Sequence, residues 1–165
     1  MNALINTPLH IPIEQMPDHS RWFGPNLVTL IARSAETNGV FSLLKCVLRK
    51  GFEFPLHVHS KEDESSFILD GEICYEAGNR RINAKSGDYV RLPKNVPHTY
   101  KVITDTVSLL LFITPGGFED MFLRCSRPAL SFELPPMSAE PPGAAFFEKL
   151  ARVNAELGVT ILPSL

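Results

Sequence analysis

The 165-residue sequence is poor in cysteine, with only Cys46, Cys74 and Cys125. An odd number without CxxC spacing gives no support to a disulfide framework, and the three read as buried free thiols of a reducing compartment. Basic tracts are missing too, and 16 Lys+Arg against 18 Asp+Glu leave a formal charge of −2 at pH 7. Nucleic acid and anionic membrane surfaces are therefore not expected as partners, whereas a small molecule is. No apolar run approaches the roughly 18 residues of a membrane span, the longest being Leu109 to Ile113. Met1-Asn2-Ala3-Leu4-Ile5-Asn6 lacks the cationic and apolar regions of a secretory signal, so a cytoplasmic protein is expected. GxSxG and the GxxxxGK(S/T) frame are also absent, and Cys74 has no histidine at a recognisable spacing, which leaves nucleophilic catalysis and a phosphate cradle unsupported.

What is present is enough apolar matter for a core. Hydrophobic residues make up 44% against 21% charged, with 11 Phe, so the chain is expected to fold, and its length suits one domain. Short β-rich segments recur at Leu27–Ala32, Phe41–Arg49, Ser65–Leu69, Glu72–Glu76, Asp88–Leu92, His98–Ile103 and Val107–Ile113. Turn signals separate them, among them Thr37-Asn38-Gly39, Asp70-Gly71 and Pro93-Lys94-Asn95. The spacing predicts an all-β core over 27–114, an antiparallel sandwich or small barrel, preceded by an N-terminal arm over 1–26. Arg80 and Arg81 are expected to flank a solvated hairpin tip, and Glu53 is treated in the same way.

The pattern changes after Pro115-Gly116-Gly117. A short helix is expected over 118–123, with Glu119 and Asp120 near its electropositive start. Beyond a connector containing Pro135-Pro136 and Pro141-Pro142, the residues Phe146, Leu150, Val153 and Leu157 recur at helical spacing until Gly158. That apolar stripe is expected to pack on the outside of the barrel or on a second subunit.

The chemistry concentrates in His57-Val58-His59, because residues i and i+2 of an extended segment project from one face and both imidazoles can reach one point. Reading outward, the residues fall into the order G-x5-HxH-x4-E-x6-G from Gly51 to Gly71, with Glu64 as the acid. Asp63 and Glu62 compete with Glu64 for the carboxylate role. The x6-G spacing favours Glu64, whose strand parity groups it with Ser66 and Ile68, and Glu62 and Asp63 are expected to be solvated loop acids. A second element runs from Gly87 through Pro93 to His98, and Tyr100 shares the face of His98 as a pocket wall or hydrogen-bond donor. His10 and His19 lie in the Pro-rich arm without ligand spacing and read as surface residues.

These two elements resemble the paired motifs of the cupin superfamily, written around G-x5-HxH-x3-4-E-x6-G and G-x5-P-x-G-x2-H-x3-N. The first matches in full. In the second, Asn95 stands in place of the usual Gly and Val102 in place of the usual Asn; Asn tolerates the left-handed turn, and neither change removes a ligand. The resemblance covers 27–114 and implies a cupin-type antiparallel β-barrel, a double-stranded β-helix or jelly roll, with short C-terminal helices over 115–165. It implies that His57, His59, Glu64 and His98 hold one divalent metal. Mixed nitrogen and oxygen donors suit Fe, Mn, Ni, Cu or Zn and are poor for Ca or Mg.

The tail is similar to that of small cupins grouped with quercetin 2,3-dioxygenases. That likeness implies a metal-dependent dioxygenase of a small enol, phenol or ketone, in which Glu64 takes the substrate hydroxyl proton and Tyr100, Ser66 and Ile68 line the pocket. Non-oxidative isomerase or hydrolase chemistry, or a binding or sensing role without conversion, are the competing expectations. A homodimer is also implied, and Leu109–Ile113, apolar without clean alternation, agrees with a sheet covered on both faces.

Overall fold

The computed structural model describes residues 8, 10–137 and 142–163. Met1–Asn6, read above for a leader, and Pro141 of the connector lie outside the described residues. In chain order the strands are β1 (Ser20–Phe23), β2 (Asn26–Ala32), β3 (Ser42–Arg49), β4 (His57–His59), β5 (Asp63–Asp70), β6 (Glu72–Ala77), β7 (Arg80–Lys85), β8 (Tyr89–Leu92), β9 (His98–Val102) and β10 (Thr106–Thr114). Helix α1 (Glu119–Cys125), β11 (Arg127–Pro128), α2 (Ala144–Leu157) and β12 (Val159–Ile161) follow.

All strand pairs are antiparallel. One sheet has the order β11-β1-β2-β3-β10-β5-β8, and the other β12-β4-β9-β6-β7. Period-two burial decides the faces: in β3, Ser42, Leu44, Cys46 and Leu48 are buried while Leu43, Lys45, Val47 and Arg49 are half-exposed. Leu44, Cys46, Ile68 and Leu109 of the first sheet share one core with Ile73, Tyr75, Ala84 and Val102 of the second. This is the antiparallel jelly-roll arrangement of a cupin, with short helices after the strands.

Two backbone positions tie motif residues to the fold. Gly71, between β5 and β6, has φ +81°, and an added Cβ would sit 2.5 Å from the Thr106 carbonyl oxygen, so no larger residue fits that crossing. Asn95 takes φ 62°, the left-handed conformation expected of it in place of Gly, and its N–H donates to the His59 carbonyl at 2.7 Å.

The segments outside 27–114 complete the barrel. Strand β1, too short to be legible as a strand, pairs with β2, and β12 pairs with β4, so the site-bearing strand is held from the far end of the chain. Helix α2 buries Leu150 and Val153 and ends on Gly158 at φ 90°. Its Phe146 ring packs against Phe23 and Phe52, so the apolar stripe covers this chain's own core. Helix α1 turns Met121 and Phe122 inward. Its Glu119 is buried and accepts hydrogen bonds from Ser34 N at 2.6 Å, Gly117 N at 2.7 Å and the Ser42 hydroxyl, which welds the helix start to β3. Arg80 and Arg81 are exposed as expected, but they open strand β7 and do not merely flank a turn. Glu53 accepts from Gly51 N at 3.0 Å and Val102 N at 3.3 Å, tying the loop before β4 to β9 in place of a solvated tip.

Candidate metal centre

Strand β4 is only three residues long, and its burial alternates with His57 and His59 inward and Val58 half-exposed. His57 is paired directly with His98 across β4 and β9, which places their ring centroids 4.4 Å apart. Glu64 enters from β5 in the opposite sheet. All four side chains are buried, and one ligand atom from each lies within 4.8 Å of all the others. Donors about 2.1 Å from a common ion in octahedral geometry would stand roughly 3.0–4.2 Å apart, so the 4.8 Å bound on this cluster is close to, and slightly wider than, what one ion requires. His98 Nε2 lies 3.3 Å from Glu64 Oε2 and His59 Nε2 lies 3.7 Å from Glu64 Oε1.

Each imidazole is oriented through its outer nitrogen. His57 Nδ1 meets the Pro55 carbonyl at 2.8 Å and His98 Nδ1 meets the Val96 carbonyl at 2.9 Å. A carbonyl only accepts, so both rings carry a proton on Nδ1 and turn Nε2 inward. His59 Nδ1 faces Glu62 Oε2 at 3.4 Å. Its Nε2 is buried without a hydrogen-bond partner among the described residues, an arrangement that costs free energy unless something electrophilic binds there. Three inward nitrogens, one of them orphaned, and one carboxylate fit a divalent transition metal.

The local electrostatics favour the state a cation requires. Burial alone would raise the Glu64 pKa, but His59, His98 and His57 outweigh it and hold the carboxyl at about 2. Burial, with His98 and His59 close by, pushes His57 down to about 4 against the pull of Glu64, so its imidazole is neutral near neutrality. His59 moves the other way: burial opposes protonation, but Glu64 and Glu62 together raise its pKa. An ionised carboxylate and a deprotonated imidazole are ready to bind without releasing protons.

Beside the cluster lies a cavity of about 70 Å³, lined by His57, Glu64 and His98 and by apolar walls that include Phe54, Leu109 and Phe118. Of the side chains expected at the pocket, Tyr100 and Ser66 line it. Ile68 does not: it is fully buried in the core two residues beyond Ser66 along β5, roughly 13 Å along the strand from Glu64. Glu62 corrects a second expectation, because it is 5% exposed, buried against His59 and not a solvated loop acid. Asp63 pairs with Arg91 and accepts Lys94 N at 2.9 Å on the outer side of β5. His10 is exposed and His19 half-buried, and neither joins the cluster.

The motif pattern missed several lining residues. Tyr75 of β6 is 2% exposed, and its hydroxyl has no hydrogen-bond partner among the described residues. The Ser66 hydroxyl is near enough to bias the phenol toward ionisation but not in hydrogen-bond geometry with it; burial prevails and raises the Tyr75 pKa. Period-two parity from β6 would have found it, since Ile73 and Tyr75 share an inward face. Cys46 also lines the cavity, and burial pushes its thiol up to about 12, so it is a neutral wall and no nucleophile.

Comparison with known proteins agrees with this geometry. The Cupin domain family profile matches residues 44–114. The chain is 28% identical over 150 residues to a quercetin 2,3-dioxygenase of Bacillus subtilis (strain 168), covering 87% of this chain and 44% of that enzyme. It is 34% identical over 71 residues to a quercetin 2,3-dioxygenase of Aspergillus japonicus, covering 40% of this chain and 20% of that enzyme. It thus spans less than half the length of either curated relative. Among solved structures, an RmlC-like cupin from Shewanella frigidimarina NCIMB 400 superposes with a TM-score of 0.58 at 19% identity, covering 69% of this chain and 96% of that one. Motif, jelly-roll topology, the profile match over 44–114 and the relatives point the same way: the chain resembles the cupins and, among them, the quercetin 2,3-dioxygenases.

Proposed function

We propose that the protein is a metal-dependent dioxygenase of a small enol, phenol or ketone, with His57, His59, Glu64 and His98 as the metal ligands. The observation that carries this reading is the four-donor cluster opening onto an apolar cavity, with the His59 Nε2 of that cluster orphaned. The 28% identity to a quercetin 2,3-dioxygenase over most of the chain supports the oxidative assignment. A metal held by these residues would supply Lewis-acid polarisation of a substrate oxygen and redox chemistry toward dioxygen.

The residues of the chain supply the rest. Phe54, Leu109 and Phe118 exclude water from the reacting centre and select an apolar substrate body. Tyr75 offers a phenolic proton to a substrate oxygen, and Tyr100 and Ser66 line the same wall. Glu64 Oε2 accepts the substrate hydroxyl proton. A carboxylate held at about 2 is a weak base, so the transfer requires that Glu64 first loosen its contact with His98. The cavity volume of about 70 Å³ is small, which favours the smaller enols and ketones over a flavonol.

The barrel over 27–114 is the reacting part in this reading, with the flanking segments as its cover. The outer face of β5, β8 and β10 exposes Phe67, Tyr89 and Phe112, and a second copy of the chain is the partner that face fits as a homodimer. Three buried free cysteines suit a reducing, cytoplasmic compartment.

The test is dioxygen uptake by protein loaded separately with Fe(II), Mn(II), Ni(II), Cu(II) or Zn(II), offered an acyclic 1,3-diketone, a simple phenol and a flavonol. Uptake with the diketone, lost in Glu64→Gln, is the expected result. Conversion without uptake assigns isomerase or hydrolase chemistry instead, and recovery of every compound unchanged assigns a binding role.

A further inference from the structure

Two of the three imidazoles are oriented by their own backbone: His57 by the carbonyl of Pro55 and His98 by that of Val96, each two residues upstream. The same local device is denied to His59, because its upstream neighbour at that spacing is His57, whose backbone is engaged in the β4 ladders to β12 and β9. The role falls to a side chain. Glu62, three residues on in the loop before β5, is 5% exposed and faces His59 Nδ1 at 3.4 Å. The other ring faces of His59 are fixed by Phe118, edge-on with centroids 4.5 Å apart, and by His98, parallel to it within 3°.

We propose that Glu62 is a positioning residue for the metal centre: its carboxylate accepts the His59 Nδ1 proton, commits the ring to presenting Nε2 inward, and makes His59 the most electron-rich of the three nitrogen donors. A carboxylate acceptor differs from the carbonyls behind His57 and His98 in carrying a full charge. Hydrogen bonds to charged acceptors are roughly twice as strong as neutral ones, and carboxylate–histidine pairs behind a metal raise the basicity of the ligating nitrogen. At 3.4 Å the pair is longer than its two counterparts at 2.8 and 2.9 Å, so its influence comes from charge more than close approach. Glu62 also adds a second negative charge beside Glu64 without occupying a coordination position.

The inference rests on the metal reading above, and its test separates the two. Nitrogen-15 histidine spectra of metal-free protein report the tautomer of each ring. In wild type, at a pH above the raised His59 value where the ring is neutral, His59 is expected as the Nδ1–H form. In Glu62→Ala the His59 signals are expected to move toward a mixture of tautomers while those of His57 and His98 stay in place, with a smaller change in Glu62→Gln, whose amide oxygen still accepts. Co(II) titration, followed by its visible absorption, is expected to weaken 10–100-fold in Glu62→Ala, with a shifted band pattern. Co(II) uptake by wild type with an unchanged His59 tautomer and unchanged affinity in Glu62→Ala overturns the role of Glu62 alone. No Co(II) uptake by wild type overturns the metal reading, and the tautomer spectra still decide whether Glu62 orients His59.

Discussion

His57 and His98 are directly opposed residues on neighbouring antiparallel strands, their ring centroids 4.4 Å apart. Strand register therefore sets the separation of two donors, and a slip of one residue would turn one of them to the outer face. Glu64 reaches the same point from the other sheet, so an ion held by all four side chains clasps the two sheets together.

The first prediction follows from that clasp. A ligand that binds only the folded state stabilises it by mass action, by about 2.7 kcal/mol at a free concentration 100-fold above Kd. Urea melts of the protein with a saturating divalent metal, against protein treated with chelator, should show a gain of this order. The gain should vanish in His98→Ala.

Acidification should destabilise the metal-free protein in two steps. Glu64 is depressed from 4.5 to about 2, so its contribution is fully present above 4.5 and is lost as pH falls toward 2. His57 is depressed from 6.5 to about 4, so the unfolded chain binds the extra proton and stability is lost as pH falls from 6.5 to 4. His59, raised above 6.5, runs oppositely: its contribution is present below 6.5 and is lost as pH rises through its folded value. Equilibrium melts between pH 3 and 8 should show the decline below 6.5 in wild type, with a shallower slope between 6.5 and 4 in His57→Gln.

Glu119 tests the joint that seats α1, the helix start next to the cavity-wall Phe118. Replacing it with Ala strands three donors, Ser34 N, Gly117 N and the Ser42 hydroxyl, in a buried joint between α1 and β3. The expected cost is about 3 kcal/mol in denaturant titration. Glu119→Gln, which keeps one acceptor oxygen, should lose less.

The outer sheet face should govern self-association. Phe112, 38% exposed and stacked only on Phe41 among the described aromatic rings, lies beside the strand bearing Phe67, itself 42% exposed. Phe112→Lys should shift sedimentation from dimer to monomer with the melting behaviour of each chain retained. A wild-type protein that sediments as a monomer at high concentration contradicts this arrangement.

The sequence made the site more legible than its surroundings. His57, His59 and Glu64 announce themselves by spacing within one short segment, and β3 and β10 by dense apolar residues. Strand β7 was opaque because Arg-Arg-Ile-Asn-Ala-Lys offers only Ile82 and Ala84 to the inside, too little to outweigh the turn residues beside it. The burial of Glu62 was illegible for a different reason: an acid in a loop is solvated by default, and only the fold brings it against His59. Phe118 at the cavity wall was hidden in a segment read for helix alone, since its place depends on how α1 docks into the barrel mouth. The outer face of β10, expected to be covered, leaves Phe112 38% exposed in the single chain, because apolar residues on both sides of a strand do not say what lies over them.

Metal stoichiometry tests the central claim most directly. Chelator-stripped protein should take up one divalent ion per chain on titration, with uptake reduced at least a hundredfold in affinity by His57→Ala, His98→Ala or Glu64→Ala and unaffected by His19→Ala. Undiminished binding in the three ligand variants, or none in wild type, would contradict a single ion held where the two sheets meet.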